Sequence, residues 1–206
     1  MKDLKPEDPS RADGMRTRLL EATLHVVGEI GLEHLTIRKV SEHASVSVGL
    51  VHHHFGNKAQ LVYQTFEFLV RRMREKMTAG RRQIADPVER LRFTCDMGFT
   101  EEVLSQGAAN VWPHMWSSSA HDPQVQRLCA AFSRRLKSNF VFDFRQAGHG
   151  RPMAIVHAIE ALALVHGLWI EHKVAGTLTR EQVRAFFHAI IDNATGRVWR
   201  ETFHRS

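Results

Sequence analysis

The sequence predicts an all-α protein of about nine helices, and three observations carry that prediction. No stretch alternates apolar and polar residues with period two, and Val and Ile never cluster as they do in strands. Apolar residues recur instead at spacings of three and four along most of the chain. The breaks between these runs carry helix punctuation. Thr36, Ser47, Asn57, Asp86-Pro87, Asp122-Pro123 and Thr179 read as starts; Gly31, Gly148-His149-Gly150 and Gly176 read as stops.

Taken in order, residues 1–14 are polar, carry two prolines and mixed charge, and read as a flexible arm without the apolar run of a signal peptide. A first helix opens near Met15, with Leu20, Leu24, Val27 and Ile30 on one face, and Gly31 ends it. Thr36 caps a short helix with Ile37, Val40 and Ala44 inward. Ser45-Val46-Ser47 breaks it, and Ser47 caps a third helix running through His54. Asn57 then caps a long helix bearing Leu61, Thr65, Phe66, Leu69 and Met73. Beyond Asp86-Pro87 lies a helix with Leu91, Cys95 and Phe99. Trp112 and Trp116 follow on a short segment, with Pro113 expected in its first turn. Asp122-Pro123 opens a helix to about Gly148, a further helix runs from 153 to about 175, and Thr179 caps the last, with Val183, Phe186, Phe187, Ile190 and Ile191. The expected division is an arm (1–14), a three-helix unit (15–60) and a larger helical domain (61–206).

Composition narrows the class. A chain of 206 residues, 43% hydrophobic and 24% charged, builds its own core. Two cysteines, Cys95 and Cys129, exclude a disulfide framework and point to a reducing, cytoplasmic setting; both fall on apolar helical faces and read as inert core. Net charge +6 permits an anionic partner without demanding one. The span 153–170 approaches membrane-crossing length, but His157, Glu160 and His166 within it favour a core helix and no membrane. Catalytic motifs are missing: there is no P-loop, GxSxG or GxGxxG. Neighbours in the His52-His53-His54 run point about 100° apart on a helix, so the three do not converge on one ion. No two histidines are four apart. The expectation is a non-enzyme with no catalytic residues, no cofactor and no metal.

The elements from Thr36 to Phe55 have the proportions of a helix-turn-helix, two helices of about two turns with a short turn between them. Such a unit sends its second helix into a major groove about 12 Å wide. Ser47, Val48, Leu50, His52 and His53 occupy exposed positions of that helix by periodicity, while Arg38, Lys39 and Lys58 add cations beside helix N-termini that can hold phosphate. Capped short helices are common in all-α proteins, and charge adds little. Residues 15–60 carry five Lys/Arg against four acids, and the basic run Arg71, Arg72, Arg74, Lys76, Arg81 and Arg82 reads mostly as a solvated face.

Leu35-Thr36-Ile37-Arg38-Lys39-Val40, Val46-Ser47-Val48-Gly49 and His53-His54-Phe55-Gly56-Asn57-Lys58 together resemble the signature of the tetracycline-repressor (TetR) family, in order and spacing. The resemblance implies an N-terminal DNA-binding domain and a C-terminal ligand-binding and dimerisation domain. By position it implies phosphate contacts from Thr36, Ser47, His53 and Lys58, and base contacts from Val48 to His52. Ser41 and Ser45 stand where the family pattern has Ala and Gly, and His52-His53 replaces the commoner Tyr-Tyr pair. A serine at a positive-φ turn position costs up to about 1 kcal/mol. Imidazole holds phosphate more strongly when protonated, so operator affinity is expected to rise as pH falls from 8 to 6 at fixed salt. A flat profile would exclude a phosphate role for these histidines.

Further segments, among them Phe99–Ser105, Trp112–Pro123, Ser133–Leu136 and Gly167-Leu168-Trp169, are similar to the choline-responsive members of the family that repress glycine-betaine synthesis. The resemblance implies a repressor relieved by choline or a related quaternary amine. That ligand has no N–H to donate and is held by aromatic faces, each worth about 0.5–2 kcal/mol. Trp112 and Trp116, four apart, share a helix face, and Trp169 could supply another wall. The similar repressors carry Asp where His166 stands. Glu160, nearly two turns earlier, is the candidate replacement anion, although it reads equally as a core acid paired with an arginine. An unrelated neutral or amine effector stays open, and a helical metal enzyme is the remote alternative. The last two helices carry an apolar stripe (Ala158, Leu162, Val165, Phe186, Phe187, Ile190) that suits a homodimer. Its reading helices would meet a pseudo-palindromic DNA operator about 34–36 Å apart.

Overall fold

Most helices begin where a side chain accepts hydrogen bonds from their first free amides. A computed structural model describes residues 9–196. Thr36 caps α2 (Ile37–His43) by accepting from the Lys39 amide, and Ser47 caps α3 (Val48–Phe55) by accepting from Leu50. Asn57 Oδ1 accepts from the Gln60 amide at 2.9 Å to open α4 (Lys58–Arg82). Asp86 accepts from Val88 and Glu89 with Pro87 in the first turn of α5 (Pro87–Asp96). A 3-10 turn, Met97–Phe99, and a single helical turn, α6 (Glu101–Leu104), lead to α7 (Gln106–Ser118). Asp122 opens α8 (Pro123–Gln146), α9 spans Arg151–Ile170, and a π-helical turn extends it to Ala175. Thr179 and Gln182 form a reciprocal capping box at the start of α10 (Arg180–Thr195). No strand occurs among the described residues, so the all-α expectation holds.

By packing, the described chain forms two compact units. The first comprises residues up to Arg71 together with Ser105–Arg127; the second comprises Arg72–Leu104 and Leu128 onward. The cause is the length of the first helix. α1 runs Pro9–Ile30, 22 residues, and packs along α7 as well as α2. Residues 9–14, expected in a flexible arm, are therefore helical, with Pro9 in the first position that proline tolerates; residues 1–8 of that arm lie outside the described residues. At the α1–α7 crossing a Cβ on Gly107 would come within 2.2 Å of the Leu24 carbonyl oxygen, so only glycine permits this approach. Asn110 Nδ2 reaches the Val27 carbonyl at 3.3 Å in the same interface. Pro113 lies well inside α7, not in its first turn, because that helix begins seven residues before it.

In the first unit Val40, Val51, Phe55 and Leu61 are buried along α2, α3 and α4, as the helical spacing requires. The turn between α2 and α3 is strained. Ser45 has φ 54°, the one positive value at a non-glycine position among the described residues. Its amide and that of Val46 close the turn on Glu42 and Ser41 carbonyls. Ser45→Gly should raise stability by about 1 kcal/mol, read as a higher denaturant midpoint at unchanged slope.

The second unit is held by α5 against α10 and by a buried ionic knot. The Asp143 carboxylate on α8 has no solvent exposure and accepts from Arg81 on α4 at 2.5 Å and from Arg90 on α5 at 2.7 Å. Arg81 is thus a structural cation rather than part of a solvated face, and Arg72 and Lys76 pair with Glu102. Cys95 is fully buried, and burial beside Asp96 pushes its thiol well up, so it stays protonated; Cys129 is half-buried. The apolar stripe on the last two helices is split. Ala158, Val165 and Phe187 are core, whereas Met153, Val156, Ile159, Phe186 and Ile190 remain exposed at 41–50%. α9 is apolar and long enough to cross a membrane by composition, yet its outward face is this apolar strip interrupted by Glu160 and Gly167.

Candidate DNA-binding face and effector residues

Capping, burial and helix geometry bring the nine proposed DNA residues onto the first unit. Val51 and Phe55 anchor α3 inward, which turns Val48, His52 and His53 to solvent, with Leu50 half-buried. Ser47 and Thr36 are exposed at the N-termini of α3 and α2, and their side chains are engaged with Leu50 and Lys39 amides. The first amides of each helix, Val48 and Gly49, Ile37 and Arg38, carry the partial positive charge that attracts phosphate. A Cβ on Gly49 would meet only Ser47 Oγ at 3.9 Å, so no neighbour within the chain demands a glycine there.

The charges on this face are fewer than a residue count suggests. Arg38 Nε donates to Glu42 at 2.8 Å, so that cation is balanced within its own helix. Lys39 is exposed, and Lys58 Nζ lies 3.5 Å from the Glu33 carbonyl. His52 bonds the Gly56 carbonyl through Nδ1 at 2.8 Å, which places the proton on that nitrogen. Its Nε2 is then an acceptor in the neutral ring and donates to an anion only after protonation. Two further arginines, Arg18 and Arg16, have a positioning role. Arg18 donates to the Ala44 carbonyl at 2.8 Å, tying α1 to the turn before α3. Arg16 bonds Gln64 at 2.6 Å and lies 5.7 Å from the Phe55 ring centroid.

The effector residues fall in both units. Trp112 and Trp116, in the first, do share a face of α7: their rings are 6.5 Å apart at 35°, Trp112 buried and Trp116 half-buried. Trp169 and His166, in the second, are three apart on α9, with Trp169 buried. Burial lowers the His166 pKa, so its ring is neutral at pH 7 and brings neither an anion nor a cation to its surroundings. Among the described residues Glu160 is neither a core acid nor paired with an arginine. It is exposed and bonded to His157 Nδ1 at 2.8 Å, because the face of α9 it occupies is the one left open.

Residues 19–64 match the TetR family of bacterial regulatory proteins, and residues 87–196 match the C-terminal domain of BetI-type transcriptional repressors. The chain belongs to the TetR family. Within it, this member carries the BetI-type C-terminal domain. It is 31% identical over 180 residues to the HTH-type transcriptional regulator BetI of Yersinia pestis, covering 86% of this chain and 90% of that one. The BetI of Paraburkholderia phytofirmans is 35% identical over 162 residues, 78% of this chain and 83% of the relative. A transcriptional regulator from Saccharomonospora viridis, crystallised in complex with choline, superposes with TM-score 0.78 at 21% identity, over 87% of this chain and 96% of that one. A Pseudomonas aeruginosa regulator gives 0.74 at 24% identity, over 94% and 93%. This family member is a DNA-binding transcriptional regulator and not an enzyme, and like other TetR regulators it acts on operator DNA as a dimer.

Proposed function

We propose that this regulator represses choline and glycine-betaine genes in the cytoplasm and is released from a pseudo-palindromic operator by choline or a related quaternary amine. The observation that carries the reading is the Trp112–Trp116 pair, two tilted indole rings 6.5 Å apart on one face of α7. An ammonium without N–H groups binds to such faces better than to any hydrogen-bonding site. The BetI relatives and the choline-bound neighbour support the same ligand class. On the DNA side, Thr36, Ser47, His53, Lys39 and Lys58 hold phosphates, and Val48, Leu50 and His52 face bases. Arg38 joins them once Glu42 is displaced.

One observation favours a second effector class. His166 is held neutral where the similar repressors carry Asp, and Glu160 is too exposed to replace that anion. A less highly charged or neutral effector fits these residues better than choline does if Trp169 and His166 contact the ligand. Trp116→Ala separates the readings. Trp116 is half-buried, so its removal disturbs the core less than that of buried Trp112. It should weaken the choline response roughly tenfold or more, the loss of about 1.4 kcal/mol or more, with unliganded operator affinity unchanged. An unchanged choline dose-response removes the aromatic pair from the site.

A further inference from the structure

The first unit holds a cluster that neither DNA nor effector binding uses. His25 and Glu29 are one turn apart on α1, and His43 is the last residue of α2. One ligand atom from each lies within 4.8 Å of the other two, and all three side chains are exposed. The imidazoles of His25 and His43 stack, with centroids 4.3 Å apart and planes at 27°. Glu29 approaches His25 Nδ1 at 3.6 Å.

We propose that His25, Glu29 and His43 bind one divalent transition-metal ion of the zinc class. Two imidazoles and a carboxylate are the donor set borderline ions take, with metal–ligand bonds of about 2.0–2.2 Å. Tetrahedral donors at that length stand about 3.4 Å apart, and the two rings must turn out of their stack to aim their in-plane lone pairs at one ion, a movement their exposure permits. Three protein ligands leave a fourth position for water or an outside oxygen. The ion cross-links α1 to the C-terminal end of α2, beside the turn that Arg18 already fastens at Ala44. No sequence spacing announces the site, because His43 comes from a different helix and lies 18 residues from His25.

The test needs no DNA, so its outcome is independent of the operator reading. Co2+ is titrated into the untagged, metal-free full-length protein and followed by its visible absorption. The expected result is one ion per chain. Binding should weaken at least tenfold in His25→Gln and in His43→Gln, and measurably in Glu29→Gln. Zn2+ should raise the melting temperature of the wild type and not that of the double variant His25→Gln/His43→Gln, since binding to the native state alone stabilises it. The double variant keeps twelve of the fourteen histidines. If it binds Co2+ as tightly as the wild type, or if the wild type binds none, the site is refuted.

Discussion

Asp143→Ala should destabilise the protein by roughly 3–5 kcal/mol, because it leaves two guanidinium groups buried without their anion. Asp143 is fully buried, and Arg81 and Arg90, which bond its two oxygens, are only 12% and 14% exposed. Arg90 also donates to the Ile84 and Ala85 carbonyls, and Arg81 to Thr94, so neither cation can swing to water without breaking further bonds. The knot joins α4, α5 and α8, and a loss here reaches the whole second unit. Chemical denaturation of the purified variant checks it. A change below about 1 kcal/mol would mean that the three groups are solvated and that the knot holds nothing together. Arg81→Met/Arg90→Met/Asp143→Leu, which removes every charge at once, should be far milder than the single change.

Gly107→Ala should be the most damaging single-methyl addition in the first unit. The new Cβ meets the backbone of α1, at 2.2 Å from the Leu24 oxygen and 2.8 Å from its carbon, and a backbone cannot rotate aside as a side chain does. α1 and α7 must separate, loosening buried Val27 and Val111. Overpacking of this kind costs about 1–3 kcal/mol and at times more. Operator affinity should fall with it, since α1 carries Arg16 and Arg18, which fasten the reading elements. A melting temperature and operator affinity equal to those of wild type would show that the two helices stand farther apart than described.

Local chemistry made much of this fold readable. The caps at Thr36, Ser47, Asp86 and Thr179 act within three residues of their own position, so spacing alone located them. The strain at Ser45 was expected from the resemblance, whose pattern has glycine where this serine stands, and φ is indeed positive there. What escaped depends on distant partners. Arg81 looked like one more surface cation until Asp143, 62 residues away, enclosed it. Glu160 shares a helix with core residues but occupies its open face, and composition does not tell one side of an apolar helix from another. For the same reason the apolar stripe divides between two roles: Phe186 and Ile190 are exposed while Phe187, between them in sequence, is core. The packing of α1 along α7, a contact across some eighty residues, escaped for the same reason.

Regulation by this protein rests on one equilibrium, the competition between operator and quaternary amine. A labelled duplex from the chain's own upstream region, titrated with the protein at fixed salt and pH, measures it by fluorescence anisotropy, with and without choline. The predicted result is tight binding that weakens with rising salt as phosphate contacts release counterions. Choline should lower that affinity by at least fivefold, the lower end of the usual coupling between linked sites. Operator affinity unaffected by saturating choline would contradict release by a quaternary amine.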